Sequence, residues 1–489
     1  MDTKKRQLAA IVGEKNVLDD GRTLEEFSKD ESFSEPLIPW FVVRPGKDSE
    51  VQALVKWANA TATPLVPVSS GAPHFHGDTV PTATEAVIVD LSRMKAIKKI
   101  DRRNRIAVIE PGVTFSELAP ALAKEGLRIP RPLMPRANKS VVASLLERQP
   151  TTIPRLNFSL PEPLRTCGVV WGSGELAFTG EAGSGPLSLE DQWKAGLAQV
   201  EPKGPAATDL MRLVTGAQGS MGIVVWASIK LELVPTVRSY FFVPHDDISG
   251  LIDLVYKLTK VRLGDETMLL NRAKLASLLE PQPAACAKLR DVLPEWVALV
   301  GLAGTALFPE ERLKVQEKEF RAIVQQFGLT LCGGFPGVSR ADVARLVDGD
   351  AGERPRTVAQ KGASQDIFFL TTLDKAPQFI DTVQSIASGY GYPLSDIAIY
   401  VQPQHQGVSH HVEFNIPYDP NDVREVAKVK DIYLDASNAL VDQGAYFSRP
   451  YGYWSELVYQ RDATSTELLR TVKHILDPTN IMNPGKLCF

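Results

Sequence analysis

The sequence contains few cysteines and no long apolar segment. The four cysteines are widely separated and form no Cys-x-x-Cys pair, which argues against a zinc ribbon, an iron–sulfur cluster or a disulfide framework. They are Cys167, Cys286, Cys332 and Cys488. No stretch reaches the ~18 consecutive apolar residues of a membrane-spanning helix, and the N-terminal segment has no apolar signal region. The sequence therefore predicts a cytoplasmic protein with no transmembrane segment.

A strong charge of either sign is also lacking. The net charge is −4, the isoelectric point is near 6.1, and no long run of like charges occurs. Nucleic acid and anionic lipid are therefore not expected as partners. The sequence also contains neither G-x-G-x-x-G after a strand nor G-x-x-x-x-G-K followed by Ser or Thr. A nicotinamide-binding Rossmann domain and a P-loop are therefore not expected, and the main ligand should be a small molecule.

The length predicts more than one structural unit. A chain of 489 residues exceeds the ~100–200 residues of a typical domain, and its composition of 44% hydrophobic and 23% charged residues is ordinary for a globular protein. Strand and helix patterns divide the chain into residues 1–235, 236–435 and 436–489. We predict that the first and last segments pack together as one domain and that the middle segment forms a second.

The N-terminal segment begins with a β-α-β pattern. Strand-like residues from Phe41 lead into a helix with apolar spacing over 51–58, and a second strand covers 64–68. Further predicted elements are strands within 86–94 and 105–115 and a hairpin over 166–180. The proline-rich segment 131–164 is predicted to be mostly extended loop. This alternation predicts an α+β or α/β domain with a ligand-binding loop at a strand end.

The middle segment alternates strand-like and helix-like runs. This pattern predicts an antiparallel sheet covered by helices, which would roof a cofactor bound to the first domain. The last segment is predicted to contain two helices, followed by a turn at Asn483-Pro484-Gly485-Lys486.

Two loops rich in small residues are candidate ligand sites. Ser69-Ser70-Gly71 follows a predicted strand, where backbone N–H groups can converge on a phosphate. The cluster from Gly216 to Ile223 joins a predicted helix to a strand, and its glycines permit a positive φ or a close approach of a ligand. Each loop alone is also compatible with a plain turn, so these residues leave the ligand open.

Four motifs, taken together, resemble a known family. PVSSGAPHFHGDTVP, IEPGVTF, GPAATDLMRLVTGAQGSMGIV and KHILDPTNIMNPGK are similar, in order and spacing, to the vanillyl-alcohol oxidase and p-cresol methylhydroxylase flavoproteins. The resemblance implies an α+β fold with a two-part FAD-binding domain of the p-cresol methylhydroxylase (PCMH) type. It also implies a cap domain, with an antiparallel sheet covered by helices, over the isoalloxazine ring. FAD is therefore the expected cofactor.

The resemblance also implies which residues contact FAD. The loop around the pyrophosphate corresponds to Pro67, Val68, Ser69, Ser70, Gly71, Ala72, Pro73, His74 and Gly77. Further contacts are expected from Pro111, Gly112, Val113, Gly216, Gly219, Ser220, Gly222, Ile223, Asn483 and Lys486. The resemblance leaves two interpretations of Lys486, a positive charge near the flavin or a solvated lysine in a C-terminal turn.

The departures from the family pattern concern the substrate. His76 stands where phenol-oxidising members carry a substrate-binding tyrosine, and Glu147 stands where vanillyl-alcohol oxidase carries an acidic residue near flavin N5. Tyr446 matches a second such tyrosine, and Arg449 is the candidate replacement for the arginine that follows it in the family. The resemblance therefore implies that His76, Tyr446 and Arg449 anchor the substrate, while Glu147 or His410 handles a proton.

Two adjacent histidines match a histidine pair on a cap strand of the family. Strand alternation places only one of them in the pocket, and we predict that it is His410, with Val412 and Phe414 facing inward. A structural role in the core is the alternative. His405, His410 and His411 lack the glycine- and asparagine-rich spacing of the metal-binding branch, so no metal is expected.

The expected activity is that of an FAD-dependent dehydrogenase or oxidase. The substrate predicted from the resemblance is a small, aromatic molecule that loses a hydride from an alcohol or benzylic carbon to flavin N5. One alternative is a D-2-hydroxy-acid dehydrogenase of the lactate or glycolate type, with His76 and Arg449 on the carboxylate. Another is a flavoprotein electron-transfer subunit without substrate chemistry of its own, against which the large polar cap domain argues.

The resemblance also bears on the flavin linkage and the electron acceptor. Asp366 stands at the position of the histidine that tethers FAD in some relatives, so FAD is expected to be non-covalent. Slow reaction with oxygen and electron transfer to a cytochrome or an iron–sulfur protein are predicted, with docking near residues 180–204. A homodimer is compatible with the family.

Overall fold

The computed structural model describes residues 3–157, 162–183, 187–197 and 209–489. Two sheets form the N-terminal unit. The first, of order β1-β2-β4-β3, contains β1 (Val17–Leu18), β2 (Phe41–Val43), β3 (Leu65–Val68) and β4 (Val87–Asp90). The second, of order β5-β6-β10-β8-β9, contains β5 (Ile97–Asp101), β6 (Ile106–Ile109), β8 (Leu164–Trp171), β9 (Leu176–Phe178) and β10 (Gly222–Lys230). In addition, β7 (Leu127–Arg128) pairs with β11 (Glu232–Leu233).

Seven helices accompany these sheets in the described part of the unit. They are α1 (Thr3–Val12), α2 (Gly21–Glu26), α3 (Asp48–Thr61), α4 (Phe115–Lys124), α5 (Val141–Leu146), α6 (Leu189–Lys194) and α7 (Met211–Val214). The predicted β-α-β pattern is confirmed, because β2 and β3 each pair in parallel with β4 and α3 buries its apolar stripe against them. The predicted hairpin is confirmed as well, since β8 and β9 pair antiparallel.

The second unit is a cap built on an antiparallel sheet of order β12-β14-β13-β16-β17-β15. Its strands are β12 (Val237–His245), β13 (Thr267–Asn271), β14 (Trp296–Gly304), β15 (Ala363–Thr371), β16 (Ala398–Gln404) and β17 (Ser409–Tyr418). Its helices include α8 (Ser249–Val261), α9 (Arg272–Leu279), α10 (Pro283–Arg290), α11 (Pro309–Gln326), α12 (Arg340–Asp348), α13 (Ala376–Gly389) and α14 (Val423–Asp442). The α+β prediction, with an antiparallel cap sheet covered by helices, is confirmed.

The chain returns to the N-terminal unit later than position 436. That position falls inside α14, whose buried face, including Ile432 and Leu440, belongs to the core of the cap. The next helix, α15 (Tyr453–Tyr459), also buries Trp454 in this core. The last helix, α16 (Ala463–Leu476), leads back, and the backbone of Leu65 then bonds to the terminal segment. A continuous amphipathic helix therefore keeps 423–442 in one domain.

Two local elements differ from the sequence expectation. The proline-rich segment contains α5, because no proline lies between 136 and 149 and the Ser140 side chain caps the helix by accepting a hydrogen bond from the Ala143 N–H at 3.0 Å. Strand β5 was not predicted, because its sequence IKKID lacks an apolar alternation. It lies at the edge of its sheet, where lysines are common.

Candidate active site and its cofactor

A cavity of about 240 Å³ lies between the two units. The loop after β3 and the segment around α5 form one wall, while β15, β16, β17 and α9 of the cap form the other. A narrower cavity of about 100 Å³ adjoins it beside the turn between α7 and β10. Both cavities share Pro67, Val68, Ser69, Asp78 and Glu147 in their walls. Together they form one elongated space in which a long ligand can lie.

The loop after β3 is fixed from behind. Its Gly71 N–H donates to the Asn138 carbonyl at 3.0 Å, and Asn138 Nδ2 donates to the Ala72 carbonyl at 2.7 Å. The Gly71-Ala72-Pro73 stretch therefore packs against segment 136–138 and does not line the cavity. The predicted cofactor residues of this loop that line the cavity are Pro67, Val68, Ser69, Ser70 and His74.

Free donors in this loop provide a test for FAD. Within the described chain, the backbone N–H groups of His74, Phe75 and His76 donate to no protein acceptor. The Nε2 atom of His74 is also buried without a partner. All three residues line the cavity. Successive N–H groups without protein acceptors, on residues that line a cavity, are suited to a diphosphate, so the residues present fit this part of FAD.

The glycine turn between α7 and β10 packs directly on this loop. Gly219 has a φ of +71°, and a Cβ atom there would lie 2.3 Å from Pro67 Cγ, so a larger residue would separate the two segments. Gly216, Gly219, Gly222 and Ile223 line the narrow cavity, whereas Ser220 is buried and its hydroxyl donates to the Ala217 carbonyl at 2.7 Å. Peptide groups and small side chains thus leave a slot that fits a flat ring.

Of the predicted FAD contacts after β6, one lines a cavity and two lie behind its wall. Pro111 lines the narrow cavity. Gly112 lies behind it, where a Cβ atom would be 2.7 Å from the carbonyls of Leu91 and Met94, and Val113 is fully buried in the core. Gly112 and Val113 therefore support the wall without lining it.

The C-terminal turn supports the wall from outside. Asn483 Nδ2 donates to the Asp78 carbonyl at 2.9 Å. Lys486 is buried, and its Nζ donates to the carbonyls of Gly77 and Val80 at 2.7 and 2.8 Å. Neither interpretation of Lys486 describes this position, because the lysine is not solvated and lines neither cavity. Its charge instead fixes the loop that carries His76 and Asp78.

His76 and Glu147 both line the cavity. Glu147 forms a buried ion pair with Lys139, and Gln149 Nε2 donates to its second oxygen at 3.0 Å. Burial, the largest single effect, would raise the pKa of Glu147, but Lys139, His76 and Arg449 together outweigh it and hold the pKa below its ordinary value. Burial lowers the pKa of His76 to about 4, although Glu147 opposes the shift. At neutral pH the cavity therefore holds an ionised Glu147 and a neutral His76.

Arg449 contributes a buried, unpaired cation to the cavity. Its side chain is buried, and the guanidinium carbon lies 3.9 Å from the centre of the Phe368 ring. No oxygen of the described residues accepts a hydrogen bond from this guanidinium. Phe368, His76 and Tyr451 form an aromatic wall, with ring centres 5.5 Å apart for His76 and Phe368 and 4.7 Å for His76 and Tyr451. A buried guanidinium without a protein acceptor is suited to bind an oxygen of a ligand.

The cap contributes a polar network that was missed from sequence. Lys274 Nζ donates to Glu413 Oε1 at 2.8 Å and to Asn415 Oδ1 at 2.6 Å. Asn415 Nδ2 in turn donates to Asp366 Oδ1 at 2.7 Å, and His411 Nε2 lies 3.1 Å from Glu413 Oε2. Lys274, Glu413, Asn415 and Asp366 line the cavity. The strand alternation of β17 contained the signal, because His411, Glu413 and Asn415 share one face.

The structure does not bring His410 to the cavity. His410 shares the opposite face of β17 with Val412 and Phe414, which pack into the helix-covered core of the cap. Its ring meets Tyr256 edge-on at 5.7 Å, and it is fully buried. The prediction reversed the two faces of the strand, because it assigned the apolar residues to the pocket. In fact the helices cover the apolar face and the cavity meets the polar one.

Tyr446 does not line the cavity either. It is 56% exposed, and its backbone pairs with Leu370 at the end of β15. Tyr451 instead reaches the aromatic wall and is buried. The sequence prediction chose Tyr446 from its position in an irregular segment. Such a match cannot tell Tyr446 from Tyr451, because the direction of the backbone after Tyr446 depends on how the segment packs.

Two known families match this chain over the segments that form the cavity. The FAD binding domain family matches residues 39–145, and the family of FAD linked oxidases, C-terminal domain, matches residues 369–487. The first contains His76, and the second contains Glu413 and Arg449. The chain is a flavoprotein with an FAD binding domain and the C-terminal domain of FAD linked oxidases.

Relatives of this flavoprotein include enzymes with different substrates. It is 24% identical over 500 residues to D-2-hydroxyglutarate dehydrogenase from Stutzerimonas stutzeri (strain A1501), with 98% of each chain covered. Its fold is similar to that of p-cresol methylhydroxylase (TM-score 0.81, 19% identity, 99% of this chain and 96% of that chain). It is also similar to that of 4-ethylphenol oxidase from Gulosibacter chungangensis (TM-score 0.80, 18% identity, 99% and 97%).

This flavoprotein is an FAD-dependent oxidoreductase, and FAD is its cofactor. The free N–H groups after β3 would hold the diphosphate, and the slot beside the glycine turn would hold a flat ring.

No described helix is long and apolar enough to cross a membrane. No three His, Cys, Asp or Glu side chains of the described residues are grouped to hold a metal ion. Residues 184–186 and 198–204 of the docking segment predicted at 180–204 lie outside the described residues.

We expect FAD to be bound without a covalent link, so that denaturing the flavoprotein releases it. Asp366, at the position where some relatives tether FAD, lines the cavity, and burial raises its pKa to about 6, with Glu413 adding to the shift. A carboxyl group in this position forms no linkage to the flavin. After acid precipitation and centrifugation, the yellow colour is expected in the supernatant. Colour that stays in the pellet would contradict this and would indicate a covalent link to FAD, for which His74 and His76 are the candidate residues.

Proposed function

We propose that this flavoprotein oxidises an alcohol or benzylic carbon of a small aromatic substrate that also carries an ionised oxygen. The observation that carries the proposal is the buried Arg449 guanidinium, which lies on Phe368 and has no hydrogen-bond acceptor in the described chain. A phenolate or carboxylate oxygen would satisfy it. The rings of Phe368, His76 and Tyr451 would pack against an aromatic substrate.

Each polar side chain then has one role. Arg449 binds the ionised oxygen and so orients the substrate within the cavity. Neutral His76 accepts the proton that the substrate hydroxyl loses. Glu147, which stays ionised beside Lys139, favours the imidazolium that His76 becomes. When bound, FAD would supply the hydride acceptor for the substrate carbon. The cap strands keep water out of the cavity.

Replacing His76 with Gln is expected to lower kcat by about 100-fold to 10,000-fold, because glutamine cannot accept the proton. In the unmodified protein, the proton-accepting form of His76 persists well below the ordinary histidine pKa of 6.5, since burial lowers its pKa to about 4. The rate is therefore expected to fall only as the pH approaches 4. Measuring kcat/KM against pH for both proteins checks this.

The control for this variant is His405→Gln. His405 is a half-buried histidine outside the cavity that bonds Ser409 Oγ at 2.8 Å, and its replacement should leave kcat unchanged. An acid limb centred on the ordinary histidine pKa, or a fully active His76→Gln protein, would rule out His76 as the base.

A substrate panel under anaerobic conditions tests the proposed function. Purified holoprotein is mixed with 4-hydroxybenzyl alcohol, 4-ethylphenol, benzyl alcohol, D-lactate and D-2-hydroxyglutarate, and the flavin absorbance is followed. We expect bleaching by the two hydroxylated aromatic compounds and weak bleaching by benzyl alcohol, which has no second oxygen for Arg449. Bleaching by none of the five would favour a pure electron carrier.

A D-2-hydroxy acid is the second candidate substrate. It is supported by the similarity to a D-2-hydroxyglutarate dehydrogenase over 98% of both chains. In this case Arg449 and His76 would face the carboxylate and the hydroxyl of one small molecule. Bleaching by D-lactate or D-2-hydroxyglutarate, without bleaching by the aromatic compounds, would replace the first candidate by this one.

We also propose that this flavoprotein is a dehydrogenase, which passes electrons to an external acceptor and reacts slowly with oxygen. The cysteines form no cluster that would hold a second redox centre. A cytochrome or an iron–sulfur protein is one class of acceptor.

A further inference from the structure

A second compartment of about 200 Å³ lies on the other side of the aromatic wall. We call it the aromatic compartment, because rings dominate its lining. The phenyl, phenol and indole rings that line it are Phe33, Phe75, Phe368, Tyr433, Tyr451, Tyr453 and Trp454. Helix α14 and residues 451–454, which lead into α15, form one side. Residues 32–34 of the N-terminal unit form another. Nothing in the proposed substrate chemistry uses this compartment.

The aromatic compartment shares a wall with the catalytic cavity. Phe75, His76, Asp366 and Phe368 line both. Only this layer of side chains separates the two spaces. Ring contacts continue from it into the compartment, with centres 4.9 Å apart for Phe368 and Trp454 and 5.6 Å apart for Trp454 and Tyr433. A flat molecule that packs against these rings inside the compartment would therefore lie one side-chain layer from the catalytic cavity.

Polar residues also line the aromatic compartment, and they include Lys430 and His76. Lys430, on α14, is exposed at the rim, and its ammonium group has no hydrogen-bond or ion-pair partner in the described chain. His76 lies in the shared wall. A planar conjugated ring with two oxygens would match these residues, because aromatic side chains pack against such a ring and Lys430 and His76 can meet its oxygens.

We propose that the aromatic compartment binds a small quinone and that this quinone is the electron acceptor. Oxidation of an alcohol to a carbonyl releases two electrons and two protons. Reduction of a quinone to a hydroquinone takes up the same two electrons and two protons, with an O–H bond formed at each oxygen. Lys430 stabilises the negative charge that develops on the oxygen it meets during this reduction. The proposal requires that FAD be reduced by a substrate, but it does not depend on which substrate.

The experiment separates the two half-reactions. Leu434 lines the aromatic compartment from α14 but not the catalytic cavity. Leu434→Trp fills the compartment, and Leu434→Met is the control of similar volume. For Leu434→Trp we expect the KM for p-benzoquinone to rise roughly 10-fold to 100-fold. This factor corresponds to the free-energy cost of overpacking a filled site. The rate of anaerobic flavin reduction by substrate should not change in either variant.

A second pair of variants tests the charge at the rim. Lys430→Met is expected to raise the KM for p-benzoquinone about 3-fold to 10-fold, whereas Lys430→Arg should keep it near the original value. Equilibrium dialysis of menadione gives a binding measurement that is independent of turnover. Its affinity should fall in Leu434→Trp and remain in Leu434→Met.

Three results would overturn the proposal. Slower flavin reduction by substrate in Leu434→Trp, with an unchanged KM for p-benzoquinone, would assign the aromatic compartment to the substrate. Unchanged half-reactions and menadione binding in all four variants would show that the compartment has no ligand of this class. Reoxidation of the substrate-reduced protein by ferricytochrome c or by aerated buffer, but not by p-benzoquinone, would assign the acceptor role to a protein or to oxygen.

Discussion

Replacing Arg449 with Met is expected to lower kcat/KM by about 100-fold to 1000-fold, because the substrate loses a charge-assisted, two-pronged partner in a buried site. FAD content and melting temperature should change little. The Arg449 guanidinium bonds to no oxygen of the described residues, so its removal leaves no protein acceptor unpaired. Methionine also retains a flexible apolar stem over Phe368. Steady-state kinetics and flavin absorbance check the prediction.

Arg449→Lys is the matched control for charge. Lysine keeps the positive charge but loses the planar fork, so an intermediate kcat/KM is expected. Equal activities of the Met variant and the unmodified protein would remove Arg449 from the proposed substrate site. A Met variant that loses FAD in proportion to its activity would give the residue a structural role.

Replacing Lys473 with Met is expected to destabilise the protein by about 3–5 kcal/mol, because a buried carboxylate loses its cation. Lys473 and Asp477 form an ion pair in which both side chains are buried. Lys473 Nζ also donates to the carbonyl of Ser220 at 2.6 Å and to that of Met482 at 3.0 Å. One side chain thus joins α16, the glycine turn and the terminal segment.

The Lys473→Met protein should lose melting temperature and FAD together, since Ser220 belongs to the turn that forms the narrow cavity. Thermal unfolding and the ratio of flavin to protein absorbance measure the two effects. Leu468→Ala is the control, because Leu468 lies on α16 but is 66% exposed, and its stability change should stay within about 0.5 kcal/mol. A Lys473→Met protein with normal stability and full FAD content would show that the ion pair is dispensable.

Most of the fold could be predicted from local sequence patterns. The apolar stripe of α3, the strands on either side of it and the turn at Gly172 to Gly174 depend on residues close in sequence. The domain boundary before β12 and the antiparallel cap follow from the same kind of pattern. The later boundary was misplaced because α14 is a single long helix whose buried face is decided by the sheet under it.

The cofactor could also be predicted from sequence, because the loop after β3 and the glycine turn are constrained at the backbone. Small residues are required wherever a chain segment packs closely, as Gly219 does on Pro67. Such constraints remain visible in sequence even when side chains elsewhere have changed. The expected loop therefore reaches the cavity through Ser69, Ser70 and His74.

The sequence by itself determined the α+β class, the two-part FAD-binding domain and the presence of His76, Glu147 and Arg449 near one cavity. Only the tertiary structure decided that the cavity meets Glu413 and Asn415 of β17 and not His410, because helices distant in sequence cover the apolar face of that strand. Tertiary packing likewise decided that Tyr446 is exposed to solvent and lies outside the cavity. The pairing of Lys139 with Glu147 and the aromatic compartment have the same origin, since side chains from separate segments define them and no local pattern records which segments meet.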